Sequence, residues 1–330
     1  MVRLNQASIL VTGGAGFIGS NLAIRLVEEG AKVKVLDGFI PSSGANSFNL
    51  QPIHEKISLE KWDMRNADKL PKLVADCDII FNLVGQVSHQ DSIVNPKMDM
   101  EINIQAILNL LEACRYHNPN ATIIYTSTRQ IYGTPNYLPV DEEHPINPVD
   151  FNGVSNLAGE YYHTLYSRLF GIKTVSLRLT NTFGPRLLIK HSRQGFMGWF
   201  INRALTGNTI QLFGGGNQLR DLNYVEDVID ALLLAAQTEA CFGKVFNLSG
   251  EKSSLRAIAS QLIHLTGRGA IDTIPFPENL KKIDIGDYYG VSKKFSELTG
   301  WLPKTNLDDG LKQTVHFFEE FKNQYLEATP

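Results

Sequence analysis

Short apolar runs rich in β-branched residues alternate with longer segments of helical period along the first 180 residues. The apolar runs lie at 8–12, 33–36, 79–83, 121–126 and 173–179. The helix-like segments lie near 17–29, 66–75, 97–117 and 152–170. Such alternation predicts a parallel sheet covered by helices on both faces. We therefore predict an α/β fold with a doubly wound parallel sheet of the Rossmann type.

The pattern changes after Thr180, where glycines and prolines, including Gly-Gly-Gly at 214–216, divide the chain into shorter pieces. Residues 223–250 predict a helix and then a strand that returns to the sheet, and 307–325 predicts a closing helix. We expect a first domain of residues 1–180 plus about 223–250. Residues 181–222 and 251–330 would form a smaller C-terminal α/β lobe.

Composition excludes several classes of protein. The 330 residues are 43% hydrophobic and 20% charged with a net charge of −3, which fits neither a disordered chain nor a basic nucleic-acid binder. Cys77, Cys114 and Cys241 form neither a CxxC pair nor an even set, so we expect buried core thiols, no metal site and a reducing cytoplasm. No window approaches about 18 apolar residues, so no membrane association is expected.

A glycine-rich turn follows the first predicted strand. The segment Thr12-Gly-Gly-Ala-Gly-Phe-Ile-Gly19 places glycines at 13, 16 and 19 immediately before a predicted helix. The glycines permit a tight turn and a close approach to a pyrophosphate, and the helix N-terminus supplies free N–H groups. This spacing predicts a dinucleotide site.

Asp37 closes the next predicted strand, where a carboxylate can accept hydrogen bonds from both hydroxyls of a ribose. The same carboxylate would repel a 2′-phosphate, and the residues after it are Gly38 and Phe39 rather than an arginine. The dinucleotide is therefore predicted to be NAD rather than NADP.

Further motifs follow in order across nearly the whole chain. They are Trp62-Asp-Met-Arg65, Asn82-Leu-Val-Gly85, Ser127-Thr-Arg-Gln-Ile-Tyr-Gly133, Leu177-Arg-Leu-Thr-Asn-Thr-Phe-Gly-Pro-Arg186, Arg220-Asp-Leu-Asn-Tyr-Val-Glu-Asp227 and Leu298-Thr-Gly-Trp-Leu-Pro303. Together with the glycine spacing, they resemble the extended short-chain dehydrogenase/reductase superfamily. The resemblance is strongest to its NAD-dependent nucleotide-sugar epimerases and dehydratases of the UDP-glucose 4-epimerase type.

The resemblance implies NAD as cofactor and a nucleotide-diphosphate sugar as substrate. It places Asp63 near the adenine, and Asn181, Arg220 and Asn247 along the nucleotide-diphosphate half of the substrate. The implied NAD-binding residues are Gly13, Gly16, Phe17, Ile18, Gly19, Asp37, Asp63, Met64, Leu83, Val84 and Gly85. The implied substrate-binding residues are Gln86, Asn181, Arg186, Arg220 and Asn247.

The resemblance also implies a homodimer formed through the helices near 97–117 and 152–170. Their apolar residues exceed a narrow stripe, which is typical of packing on more than one side. Complete burial inside one chain would give the same pattern. These residues are Ile102, Ile104, Ile107, Leu108, Leu110, Leu111, Leu157 and Leu165.

The expected proton-transfer pair is missing. Relatives carry Tyr-x-x-x-Lys on the helix after the fifth strand, where the lysine lowers the tyrosine pKa. Here the matching positions are Asn152 and Asn156, and Thr128 stands at the position of the helper Ser or Thr. A threonine hydroxyl alone is no general base. Among the other titratable residues we single out His89, because it lies just after the fourth strand, where substrate-facing loops belong.

Several functions stay open on this evidence. The first is an NAD-dependent 4-epimerase type of oxidoreductase with non-standard acid and base residues at Thr128, Asn152, Asn156 or His89. The second is a catalytically silent relative that binds NAD and a nucleotide sugar. A different nucleotide-sugar reaction on the same scaffold is also possible, and a non-sugar dehydrogenase fits less well. Loss of general acid–base catalysis typically lowers the rate by ~10²–10⁴-fold, so slow turnover could remain.

Overall fold

The computed structural model describes residues 4–41, 43–281 and 283–326. The strands are β1 (Ser8–Thr12), β2 (Lys32–Asp37), β3 (Ser58–Lys61), β4 (Ile79–Asn82), β5 (Thr122–Thr128), β6 (Lys173–Leu179), β7 (Asn181–Phe183), β8 (Thr209–Phe213), β9 (Leu219–Tyr224), β10 (Lys244–Leu248), β11 (Glu251–Ser254) and β12 (Ala270–Ile274). The helices are α1 (Phe17–Glu28), α2 (Leu70–Val74), α3 (His89–Val94), α4 (Pro96–Met100), α5 (Ala106–His117), α6 (Phe151–Phe170), α7 (Phe196–Leu205), α8 (Val225–Gln237), α9 (Leu255–Thr266), α10 (Glu278–Lys281), α11 (Lys293–Thr299), α12 (Leu307–Glu320) and α13 (Lys322–Leu326).

The central sheet has seven strands in the order β10-β6-β5-β4-β1-β2-β3, and every neighbouring pair is parallel. From β1 the chain runs outward to β2 and β3, and then returns to the other side of β1 to form β4. The strand order therefore reverses between β1 and β4. In open sheets of this kind ligands bind outside the carboxyl ends of the strands at that reversal. The predicted Rossmann-type fold is confirmed.

Apolar side chains cover both faces of this sheet. One core packs α1 and α8 against it through residues such as Leu22, Leu26 and Leu232. The other packs α2 and α5 through residues such as Leu70 and Leu110. Because each interior strand is covered on both sides, its side chains are apolar in succession rather than alternating.

Several elements differ from the prediction. The hydrophobic pattern does not predict the edge strand β3, because most of its side chains are exposed. The predicted helix at 66–75 shortens to α2, because the Asn66 side chain accepts a hydrogen bond from the Asp68 N–H in a preceding turn, at 2.9 Å. The predicted helix at 97–117 is divided, since residues 101–105 form a π-helical turn between α4 and α5. The closing helix is interrupted at Phe321.

A smaller set of elements packs beside the sheet. Strands β7, β9 and β11 form one small sheet, and β8 pairs with β12. Helices α7, α9 and α12 share a separate core with them, which contains Phe200, Leu262 and Leu311. Strand β10 pairs with β6, as expected for residues 244–248, whereas the domain limits themselves stay a prediction.

The three thiols lie where the sequence predicts them. Cys77, Cys114 and Cys241 are buried and unpaired, each within an apolar core. Among the residues that the structure describes, no helix is both long and apolar enough to cross a membrane.

Candidate functional site

A cleft of about 610 Å³ opens at the carboxyl ends of the central strands. The glycine-rich turn and Asp37 line one end, and Thr128 and the start of α6 line the other. Residues 187–188 and 193–198, which belong to the smaller set of elements, close the side. The cleft brings together these predicted residues: Gly13, Gly16, Phe17, Ile18, Gly19, Asp37, Leu83, Val84, Gly85, Gln86, His89, Thr128, Asn152, Asn156 and Asn181.

The glycine-rich turn has no room for side chains at two of its glycines. Gly13 has a φ of +66°, and a Cβ there would lie 2.7 Å from the Leu83 carbonyl oxygen. A Cβ at Gly19 would lie 2.3 Å from the Gly13 carbonyl oxygen. Helix α1 starts after Gly16 without a side-chain cap, so its first N–H groups are available to a ligand at the cleft. The cradle fits the pyrophosphate of a dinucleotide.

Asp37 is held at the end of β2 by two backbone donors. Its Oδ2 accepts a hydrogen bond from the Ala15 N–H at 3.0 Å, and its Oδ1 accepts one from the Phe39 N–H at 2.8 Å. Burial raises the pKa of Asp37, and these two hydrogen bonds oppose that effect. Each carboxyl oxygen keeps a second acceptor position, which fits the two hydroxyls of a ribose.

A small side pocket continues beyond Asp37 and contains the predicted residues Asp63 and Met64. The carboxylate of Asp63 is occupied, since Arg65 donates to it at 2.6 Å and also pairs with Glu101 at 3.2 Å. Burial alone would raise the pKa of Asp63, but the hydrogen bonds and charge of Arg65 outweigh it and lower the pKa. This pocket lies at the end where the adenine is predicted.

Asn152 and Asn156, one turn apart on α6, bond to each other and to neighbouring groups. The Asn156 amide donates to the Asn152 carbonyl oxygen at 2.9 Å, and its Oδ1 accepts from the Tyr125 hydroxyl at 3.2 Å. The Asn152 amide donates to the Gln86 carbonyl oxygen at 2.5 Å and to Asp99 Oδ1 at 3.2 Å. Both side chains line the cleft, yet neither can take up a proton.

Asp99 supports this amide network from inside the protein. It is fully buried, and its Oδ1 also accepts from the Asn103 amide at 3.1 Å. Burial raises the pKa of Asp99. Asn103 in turn donates to the Gln86 carbonyl oxygen at 3.0 Å and accepts from the Gln86 N–H at 2.9 Å. The amides are thus fixed by their own partners before any ligand binds.

Thr128 ends β5 at the cleft. Its Oγ1 accepts a hydrogen bond from the Gln130 N–H at 3.2 Å and starts the short 3₁₀ helix Arg129–Tyr132. The Thr128 hydroxyl donates to no other residue that the structure describes. It is therefore available to donate to a ligand hydroxyl or carbonyl.

His89 begins α3 and lies against Asp150. The His89 Nδ1 is 2.8 Å from Asp150 Oδ2, with 31% of the His89 side chain exposed but only 1% of the Asp150 side chain. The Gln130 amide lies 3.3 Å from both atoms. This buried carboxylate orients an imidazole that lines the cleft.

Three predicted substrate-binding residues do not line the cleft. Arg186 donates to Asn21 Oδ1 at 2.7 Å. Arg220 donates to the Gly286 carbonyl oxygen at 2.5 Å, and burial together with repulsion from Arg129 lowers its pKa to about 10. The Asn247 amide oxygen accepts from a buried tyrosine hydroxyl, that of Tyr132, at 2.7 Å.

Sequence reasoning missed Asp150, which lies behind the cleft, and two arginines that line it. Asp150 carries a signal that could have found it, because an aspartate directly before a predicted helix is a typical N-cap. Arg129 and Arg193 line the cleft, and Arg193 pairs with Asp91 at 3.3 Å. No local pattern distinguishes these two arginines from surface residues.

Comparison with known proteins agrees with this geometry. A sequence model described as the NAD dependent epimerase/dehydratase family matches residues 9–249. The putative UDP-glucose 4-epimerase of Methanocaldococcus jannaschii is 35% identical over 94% of this chain and 98% of its own length. The UDP-glucose 4-epimerase of Mycolicibacterium smegmatis is 32% identical over 94% and 97%. A UDP-glucose 4-epimerase structure from Thermotoga maritima, with UDP-glucose, is 29% identical with a TM-score of 0.87, covering 96% of this chain and 99% of that one.

Proposed function

Because the chain belongs to the NAD dependent epimerase/dehydratase family, we propose that it is an epimerase of nucleotide-diphosphate sugars that acts at the sugar C4. The NAD cofactor is shared with the family. Two features go beyond what family membership implies: the reaction at C4, and proton transfer by a group other than tyrosine.

One observation carries the proposal: the two halves of the required site share a single cleft. The glycine-rich turn and Asp37 lie at one end, and Thr128 with the start of α6 lies at the other. A dinucleotide held by the first half would extend toward the second. Its reactive ring and a sugar beside Thr128 would then meet within the same enclosed space.

Different residues of the cleft would bind the cofactor and the sugar. The first turn of α1 would hold the pyrophosphate, and Asp37 would accept hydrogen bonds from the ribose hydroxyls. Thr128 would orient the sugar hydroxyl that is oxidised. When bound, NAD supplies the hydride chemistry by which a sugar carbon is oxidised to a ketone and reduced again from either face.

Substrate contacts are supported unequally. Gln86 and Asn181 line the cleft and are proposed to contact the nucleotide sugar. Arg186, Arg220 and Asn247 stay predictions, and each would first have to exchange a protein partner for the substrate.

The second candidate is a catalytically silent relative that binds NAD and a nucleotide sugar. The observation that favours it is the amide pair Asn152 and Asn156, whose hydrogen-bonding groups are already partnered and cannot titrate. Both candidates predict the same cofactor and ligand. They differ in whether a bound sugar is oxidised.

The test uses the purified full chain with its bound NAD. UDP-glucose, UDP-N-acetylglucosamine, dTDP-glucose, GDP-mannose and CDP-glucose are added in turn, and the reduced-nicotinamide absorbance band and the sugar products are followed. We expect one donor to produce the band and its 4-epimer. If calorimetry shows binding but no donor gives a band or a product, the chain is the silent relative. Asp37→Ala serves as the control, because it should lose NAD and the band together.

We also propose that two copies associate through α6. The predicted contact residues Ile102, Ile107, Leu110 and Leu111 are buried within one chain, so they do not support the dimer. A different set supports it, because apolar side chains of α6 remain half exposed or more along one stripe. They are Phe151, Val154, Tyr161 and Leu169.

A further inference from the structure

His89 and Asp150 form a pair that the sequence does not reveal, since two separate elements carry them. His89 is the first residue of α3, after β4, and Asp150 is the N-cap of α6. Asp150 Oδ1 accepts the Gly153 N–H at 2.7 Å, while its Oδ2 lies 2.8 Å from His89 Nδ1. The helix cap therefore fixes the carboxylate, and the carboxylate fixes the imidazole.

The pairing determines which nitrogen of His89 faces a ligand. An ionised carboxylate only accepts hydrogen bonds, so the neutral imidazole must carry its proton on Nδ1. Burial alone would raise the pKa of Asp150, but the hydrogen bond and charge of His89 outweigh burial and keep it below its usual value. The lone pair is then on Nε2, which bonds to no residue that the structure describes.

Several charged groups surround the pair. Asp99 and Arg129 act on Asp150 through their charges, from α4 and from the 3₁₀ helix after β5. Asp91 lies two residues along α3 and is paired with Arg193. The Gln130 amide, held by Arg129 at 2.8 Å, contacts both members of the pair.

We propose that His89, oriented by Asp150, is the group that takes and returns the proton of the sugar hydroxyl. This inference rests on the proposed function. The hydroxyl O–H bond breaks and an N–H bond forms at Nε2, while the electron pair left on oxygen forms the ketone as hydride passes from the carbon to NAD. Hydride return to the carbon and proton return from Nε2 restore the alcohol, so no further oxidant or reductant is required.

His89 would thus supply the chemistry that Asn152 and Asn156 cannot. Thr128 and His89 line the same cleft, and Gln130, two residues after Thr128, contacts the histidine. Asp150 is a positioning residue in this scheme, since its buried side chain touches the imidazole and does not line the cleft.

The test compares His89→Gln with His54→Gln, which changes a histidine whose side chain is 67% exposed and outside the cleft. On the donor that the wild type converts, His89→Gln should lower kcat by ~10²–10⁴-fold. Binding of NAD and donor should persist, and added imidazole should restore part of the rate. His54→Gln should behave as the wild type does.

Asp150→Asn tests the positioning role, because asparagine is an equally good N-cap and keeps α6 intact. It should lower kcat while leaving KM and the binding of NAD unchanged, because Asp150 holds the imidazole and does not line the cleft. Nitrogen NMR of histidine-labelled full chain at neutral pH should show His89 protonated on Nδ1 only.

The outcomes separate the two proposals. If the wild type converts a donor and His89→Gln keeps its rate within tenfold, the role of His89 is overturned while the epimerase proposal stands. Protonation of His89 on Nε2 instead of Nδ1 also overturns it, whatever the activity. If the wild type converts none of the five donors, the epimerase proposal fails, and the role of His89 fails with it.

Discussion

Polar residues at the centre of this molecule derive their roles from partners distant in sequence. Asn152 and Asn156 are predicted to stand where relatives carry a proton-transferring pair, and both amides are bound into a network with Gln86, Asp99 and Tyr125. A buried amide that keeps its hydrogen bonds costs little, whereas one left unpaired costs ~1–3 kcal/mol. The network therefore explains how two asparagines are accommodated at these positions.

His163 gives a residue-scale prediction about pH. It is fully buried on α6 and stacks on Tyr125 with ring centroids 4.3 Å apart. Burial lowers its pKa from 6.5 to about 4, while its hydrogen bond to the Gly159 carbonyl opposes the shift. Between these values the unfolded chain binds a proton that the folded chain does not, so the stability should fall as pH decreases from 6.5 to 4.

His163→Phe keeps a stacked ring and removes the titration. Urea unfolding of both proteins across this pH window should show a steeper decline for the wild type, by up to about 1.4 kcal/mol per pH unit. Carboxylates titrate in both proteins and cancel in the comparison. Parallel curves for wild type and variant would contradict the prediction.

The elements are fixed in position by close backbone approach. Helix α1 packs so near the glycine-rich turn that a Cβ at Gly19 would meet the Gly13 oxygen at 2.3 Å and the Gly14 Cα at 2.7 Å. These are backbone atoms that cannot rotate away. The same closeness points the first N–H groups of α1 at the cleft, so helix packing and ligand binding depend on one geometry.

Gly19→Ala should therefore destabilise the fold by ~1–3 kcal/mol through overpacking and should release bound NAD. Gly85→Ala is the matched control for stability, because its Cβ would make only an ordinary contact of 3.5 Å with Asn103. Denaturant unfolding measures both variants, and the NAD content of the purified Gly19→Ala protein measures the second effect. Equal stability of the two variants would refute the steric account.

At the scale of the whole molecule, the cleft is shared between the sheet and the smaller set of elements. The Asp91–Arg193 ion pair joins α3 to the loop before α7 across the cleft wall. On the far side of the sheet, Arg25 of α1 pairs with Glu226 and Asp230 of α8 at 2.9 and 3.3 Å. Exposed pairs of this kind contribute only ~0–1 kcal/mol, so apolar packing carries the stability and the ion pairs align the parts.

The exposed stripe of α6 gives a prediction about assembly. Light scattering should give the mass of two chains for the wild type, and the mass of one chain for the double variant Val154→Glu and Tyr161→Glu, because charges would be buried without partners. Leu302→Glu is the control, since Leu302 is at least as exposed as Val154 and Tyr161 but lies outside α6. A wild-type mass of one chain over a range of concentrations would exclude the dimer.

The parts of this protein that depend on local chemistry can be predicted from its amino-acid sequence. Hydrophobic runs located the interior strands, because strands buried on both faces must be continuously apolar. Glycine spacing and Asp37 predicted the dinucleotide end, because a tight turn and a strand-terminal carboxylate are encoded within about thirty residues. The sequence did not reveal the edge strand β3, whose side chains are mostly exposed, or the π-helical turn that divides the predicted helix at residues 101–105.

The contacts between residues distant in sequence become visible only in the folded chain. It placed Asp150 against His89 and bound the amides of Asn152 and Asn156 into their network. It also turned Arg220 toward Gly286 rather than the cleft. Hydrogen bonds between separate elements depend on how helices and loops pack above the sheet. The periodicity within one segment does not predict that packing.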